Sequence, residues 1–111
     1  MNGSILNDIK KLLGIDPDYT DFDRDIIIGI NSALMILAQL GVCEEGFYIQ
    51  NDEDEWADLL DGESELELVK SYIHLKVRLM FDPPSGAVLE SMKELIKEYE
   101  WRLNVKVDKP E

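Results

Sequence analysis

The chain has 111 residues and a formal net charge of −13, because 24 Asp and Glu outnumber 11 Lys and Arg. That acidity argues against sequence-independent binding to nucleic acid, which needs Lys and Arg to displace counterions, and against docking on anionic membranes. The single cysteine, Cys43, excludes an internal disulfide framework and a cysteine-rich zinc site. With 45% hydrophobic residues, a chain of this length is expected to form one domain with one core.

Hydrophobic spacing predicts helices in the first part of the chain. Helix 1 is expected over 4–13, and Gly14 suits the left-handed position that ends it. A long central helix is expected over 21–40, opened by a capping box that begins at Thr20. This helix is apolar nearly all round, so we expect burial on more than one side, in the core or against another subunit. Polar residues within it and acidic flanks favour a buried helix over a membrane span.

The second part of the chain also has helical patterns. A short helix is expected over 53–60, a fourth helix over 64–81 that opens with a capping box at Ser64, and a fifth over 85–103. The main inward stripe of the fourth helix is Leu66, Val69, Ile73, Val77 and Met80. That of the fifth is Leu89, Met92, Leu95 or Ile96, Tyr99 and Leu103.

Together these elements predict an all-α fold, a compact bundle of four to five helices with a long central helix and a short C-terminal tail. One helical domain is expected over 1–103 and the tail over 104–111. In the tail, Val105-Lys106-Val107 alternates as a strand does, so it could pair as an added strand on a partner. The other interpretation is a frayed end.

The negative charge lies almost wholly in the first two-thirds of the chain. Residues 1–69 carry a net charge of −14, whereas residues 70–111 carry +1. Residues 44–67 contain eleven acids and no base. One interpretation is a solvated face, and the other is a surface that must be negative, to let a polyanion slide past or to meet a basic partner. The candidates for a negative channel surface are Glu44, Glu45, Asp52, Glu53, Asp54 and Glu55.

The sequence carries no motif for catalysis. His74 is the single histidine, and the acids after Asp16 begin like a calcium loop but have Asp21 where glycine is needed and Ile27 where glutamate is needed. A phosphate-binding glycine loop, a zinc-protease motif and a nucleophile elbow are all missing from the sequence. We therefore expect a protein that is not an enzyme, with no catalytic residue, metal or cofactor.

Aromatic residues in the acidic stretch are candidates for contact with a partner. Trp56 is expected on the short helix among acids, and tryptophan is a frequent interface anchor, although most tryptophans are core residues. The full set of candidate interface residues is Trp56, Phe47, Tyr48, Val105 and Val107.

Several segments resemble the small head–tail connector (adaptor) proteins of tailed bacteriophages and prophages. Their order and spacing across 5–103 carry the resemblance, and the Phe-Asp-Pro-Pro stop at 81–84 before a final helix is the most distinctive piece. The segments are residues 5–15, 22–34 and 37–42, then the short helix with Trp56, and then residues 72–84 and 98–103.

The resemblance implies a structural role without catalysis. Such proteins are small and mainly α-helical, and they form a ring, usually dodecameric, beneath the portal protein of the capsid. The ring extends the DNA channel, through which DNA passes without specific binding, and it offers a surface to the tail or the next connector protein. The chain would then be made in the bacterial host cytoplasm and be located in the virion. An alternative consistent with the charge is an acidic regulatory or DNA-mimic protein that binds a basic partner.

Overall fold

The computed structural model describes residues 3–59 and 66–108, with side chains up to residue 105. These residues form helices and no strand, so the predicted all-α bundle is confirmed. The molecule measures 45 × 36 × 22 Å. Its helices are α1 (Ile5–Leu12), α2 (Asp23–Gln39), α3 (Trp56–Leu59), α4 (Leu66–Phe81) and α5 (Gly86–Asp108).

The core lies between α2 and α4, which share the largest contact in the fold. Gly29 of α2 faces Val77 of α4, and a Cβ placed on Gly29 would lie 3.5 Å from both Val77 methyl carbons. These distances are ordinary van der Waals contacts, so the two helices lie close together at Gly29 and an alanine would also fit there. Helix α1 packs on both α2 and α4, and α5 packs on α4. The predicted central helix is therefore confirmed as the spine of the bundle.

A buried ion pair ties α1 to the start of α2. Lys10 is fully buried, and its Nζ lies 2.6 Å from Asp23 Oδ1 and donates a hydrogen bond of 2.9 Å to the Pro17 carbonyl. The capping box predicted at Thr20 is wrong, because α2 has Phe22 at its N-cap position and no side chain caps it. The Asp23 carboxylate, which would complete that box, pairs with Lys10 instead.

The end of α5 differs from the prediction. The helix continues to Asp108 rather than ending at Leu103, so residues 105–107 are helical in the free chain and form neither the added strand nor the frayed end that the sequence left open. Extending a formed helix costs little compared with starting one, and the Asn104 side chain donates to the Leu40 carbonyl of α2 at 3.4 Å. The assignment of one domain to 1–103 stays a prediction.

Of two further predictions for α4, one lies outside the described residues and the other is wrong. The capping box at Ser64 lies outside them, and α4 is described from Leu66. Met80, expected in the inward stripe of α4, is 55% exposed. Among the helices that the structure describes, none has the length and apolar character needed to cross a membrane.

Candidate functional site

Trp56 lies in the core. It is fully buried, and its Nε1 donates a hydrogen bond of 2.7 Å to Asp8 Oδ2 on α1. The Lys70 ammonium lies 5.2 Å from the centre of the Trp56 ring and 3.8 Å from the same Asp8 oxygen. The indole is thus enclosed by α1 and α4 and presents no surface to a partner. The prediction that Trp56 is an interface residue is wrong for this fold, because its ring and its N–H are both used internally.

The segment 44–55, which we call the acidic loop, is held at its middle and near its C-terminal end. At its middle the Asn31 side chain of α2 bonds to both backbone groups of Ile49: it accepts a hydrogen bond from the Ile49 N–H at 2.8 Å and donates to the Ile49 carbonyl at 3.1 Å. Near its C-terminal end the Ile5 N–H donates to the Asp54 carbonyl at 3.0 Å. Together with the buried Ile49 side chain, these bonds fix the acidic loop against α1 and α2.

The six acids of the predicted negative surface divide into two groups. Asp54 is half-buried, and its Oδ2 accepts hydrogen bonds from the N–H groups of Gln50 at 2.8 Å and Asn51 at 3.4 Å. It therefore shapes the loop, as Asp side chains often do in turns. The other five are exposed, and within the described part of the chain none of the ion pairs involves them. They are Glu44, Glu45, Asp52, Glu53 and Glu55.

The remaining predicted interface residues differ in exposure. Phe47 is half-buried against the core, whereas Tyr48 is 47% exposed and Val105 42% exposed. The side chain of Val107 lies outside the described ones. Tyr48 and Val105 are therefore available to a partner in the free chain.

The outer side of α2 carries an exposed apolar surface, which we call the α2 strip. The residues that form it are Phe22, Ile28, Met35 and Tyr48, which are 40%, 53%, 47% and 47% exposed. Shallow grooves lie at its ends, one between Phe22, Ile28 and Phe81 and the other between Met35 and Tyr48. An aromatic contact with a ring separation of 5.2 Å joins Phe22 to Phe81 of α4. The all-round apolar character of α2 predicted that apolar side chains would lie on more than one of its sides, and the α2 strip is the apolar side that stays exposed in the free chain.

A second exposed surface, the α5 outer face, consists of Lys97, Trp101 and Val105. Trp101 is 66% exposed, the most exposed of the large hydrophobic side chains described. Trp101 was not among the predicted interface residues. It stands two positions after Tyr99, which belongs to the inward stripe, and two positions correspond to a rotation of about 200° around the helix axis. The sequence therefore contained a signal that Trp101 faces away from the core. Ile96 is buried and Leu95 is 38% exposed, so Ile96 is the inward residue of the pair.

The single histidine and the single cysteine both have shifted pKa values. Burial, followed by the nearby Arg78 charge, lowers the pKa of His74. Burial, followed by the Glu44 charge, raises the pKa of the Cys43 thiol, so that it stays protonated at neutral pH. In the part of the chain that the structure describes, no group of three or more His, Cys, Asp or Glu could hold a metal ion.

A comparison with models of protein families identifies a family that covers nearly the whole chain. The model of a family described as phage connector protein matches residues 5–110. No curated protein and no solved structure matches the chain. The matched range contains all five helices, the acidic loop, the α2 strip and the α5 outer face.

Proposed function

Because the chain belongs to the phage connector protein family, we propose that it is a ring subunit at the head–tail junction of a tailed phage or prophage. In this proposal the ring lies below the portal protein, extends the DNA channel and offers its far side to the tail or the next connector protein. The protein is made in the host cytoplasm and becomes part of the virion. The family match over residues 5–110 is the observation that carries the proposal.

The exposed apolar surfaces support an assembled state. The α2 strip and the α5 outer face lie on different helices, and their largest side chains are about half or more exposed. Contiguous exposed apolar surface on a soluble chain marks a site of protein contact. Two different contact surfaces on one chain suit the head-to-tail contacts from which rings are built.

The acidic loop supports a channel wall. DNA carries about one negative charge per 1.7 Å of its axis, so a wall with five exposed carboxylates and no base repels it. Repulsion of this kind prevents DNA from adhering while it passes in or out. The bonds from Asn31 and Ile5 hold the loop in place against the mutual repulsion of its acids. We propose that Glu44, Glu45, Asp52, Glu53 and Glu55 face the bore of the ring.

Electron microscopy of the chain mixed with the portal protein of the same virus tests the proposed position. We expect an additional ring on the side of the portal that faces the tail, compared with the portal alone. A portal whose density is unchanged at saturating chain concentration contradicts the proposal. A chain that leaves the portal unchanged but competes with DNA for a basic protein supports the DNA-mimic alternative.

A charge-reversal variant tests the channel wall separately. The variant carries Glu44→Lys, Glu45→Lys and Glu53→Lys, and the control carries three equally exposed reversals away from the loop, at Asp82, Glu90 and Glu94. Both change the net charge by the same amount. We expect assembled rings of the loop variant to retain DNA in a gel-retardation assay and those of the control to release it. Equal retention by both rings contradicts the placement of the loop.

A further inference from the structure

The α2 strip has a geometry that suits packing against another helix. Ile28 and Met35 are seven residues apart, so they lie on the same side of α2 about 10 Å apart along its axis. Phe22 and Tyr48 continue the strip beyond them at its two ends. Each of these four side chains is at least 40% exposed, and Phe22 is partly covered by the rings of Tyr19 and Phe81. From Phe22 to Met35 the strip therefore extends over about three or four helical turns, so a partner helix of that length could lie along it.

The α5 outer face offers such a helix. Trp101 and Val105 are four residues apart and lie on adjacent turns, with Lys97 one turn earlier. Ile96 and Leu103, on the opposite side of α5, are buried against the bundle. One side of α5 thus holds the helix in the monomer, and the other presents a tryptophan, the residue type most often found at interface hot spots.

The charges decide which surfaces pair. Exposed Asp21, Asp25 and Glu45 border the α2 strip, with Arg24 as the one exposed base beside them. Packing one strip on another would bring carboxylates together, which costs free energy. The α5 outer face has an exposed lysine at Lys97 with exposed Glu94 and Glu98 beside it, and α5 as a whole contains four bases against five acids, so this face is nearly neutral. The strip is therefore better matched to the α5 outer face than to itself.

We propose that the α2 strip of one copy of the chain packs on the α5 outer face of the next copy. This contact uses two different surfaces, so each added copy leaves one surface free for another, and the series closes into a ring when the rotation permits. Trp101 is the anchor of the contact, with Ile28 and Met35 on the opposing surface. The proposal rests on the ring function above and adds the two surfaces that build the ring.

Chemical crosslinking of the purified chain, alone and mixed with the portal protein, tests the pairing. In a background where Cys43→Ser removes the single cysteine, a chain with both Met35→Cys and Trp101→Cys is treated with a short bis-maleimide. We expect a ladder of covalent dimers, trimers and larger species. Each single cysteine variant should stay monomeric, and an equal mixture of the two should stop at the dimer. The matched control replaces Met35→Cys by Leu12→Cys, since Leu12 is 49% exposed but lies on α1, and it should give no ladder.

Each other outcome overturns the pairing. Dimers from Met35→Cys alone indicate strip-on-strip contact, a ladder from the Leu12 control indicates random collision, and no product from any variant shows that the two surfaces do not meet. The portal experiment is scored independently. A ring on the portal without the crosslinks rejects the pairing and keeps the function, whereas crosslinks without a portal ring keep the pairing and reject the proposed position.

Discussion

The first region of the chain, residues 3–59, and the last helix, α5, are held in different ways. The first region is tied by polar bonds between distant residues, including Lys10 to Asp23, Asn31 to Ile49 and Trp56 to Asp8. Helix α5 is held mainly by an apolar stripe on one side, together with two hydrogen bonds: the Tyr72 hydroxyl donates to Glu100 at 2.7 Å, and Asn104 donates to the Leu40 carbonyl at 3.4 Å. The first region, which carries most of the negative charge, thus has more of its distant residues joined by polar bonds, whereas the nearly neutral α5 depends more on burial and keeps its other side free.

The two tryptophans show the contrast most sharply. Trp56→Ala removes a fully buried indole and leaves Asp8 without its hydrogen bond, so we expect the free energy of unfolding to fall by about 3–5 kcal/mol. Trp101→Ala, at a site 66% exposed, should change it by less than about 0.5 kcal/mol. Urea denaturation of both variants measures the difference. Similar losses in the two variants would show that Trp101 also has a structural role.

The buried lysine should show the next largest effect. Lys10→Met removes the cation from Asp23 and the hydrogen bond to Pro17, but Asp23 keeps a side-chain exposure of 27% and can be hydrated. We therefore expect a loss of about 2 kcal/mol, less than the roughly 3–5 kcal/mol that breaking a fully buried pair costs. Lys11→Met, at an exposed neighbouring position, is the control and should leave urea denaturation unchanged. A Lys10→Met chain as stable as wild type would contradict the role of the ion pair.

The hold on the acidic loop can be weakened by one substitution. Asn31→Ala deletes both side-chain bonds to Ile49, and we expect a loss of about 1–2 kcal/mol. Amide hydrogen exchange should speed up at Ile49 and through the acidic loop but not in α5. Gln39→Ala, on the same helix but exposed, serves as the control. Exchange in the loop that stays at the wild-type rate would mean that other contacts hold it.

The smallest effect concerns pH. Burial, with the Arg78 charge second, lowers the pKa of folded His74 below its ordinary value of 6.5, so the unfolded chain binds a proton where the folded chain does not. The ionisation of His74 therefore leaves the free energy of unfolding unchanged well above pH 6.5 and lowers it as the pH falls below that value. His74→Gln should therefore gain stability relative to wild type between about pH 7 and 5. Parallel pH profiles of unfolding for the two chains would contradict the lowered pKa.

Much of the fold was predictable because helices depend on local pattern. The stripes of α2 and α4 and the left-handed Gly14, with φ +83°, were enough to predict the central bundle. The burial of Lys10 and of Trp56 was not predictable, since each depends on partners brought near by the tertiary fold; Asp8 is 48 positions from Trp56. For the same reason the sequence assigned the interface role to Trp56, while the exposed tryptophan is Trp101.

The position of the acidic loop in the assembled ring tests the central claim most directly. A cryo-electron microscopy reconstruction of the chain bound to the portal would locate α2, α5 and the loop within each subunit. We predict that Glu44, Glu45, Asp52, Glu53 and Glu55 line the bore and that α5 lies between neighbouring subunits. A ring with these acids on its outer rim and with lysines and arginines lining the bore would contradict the account.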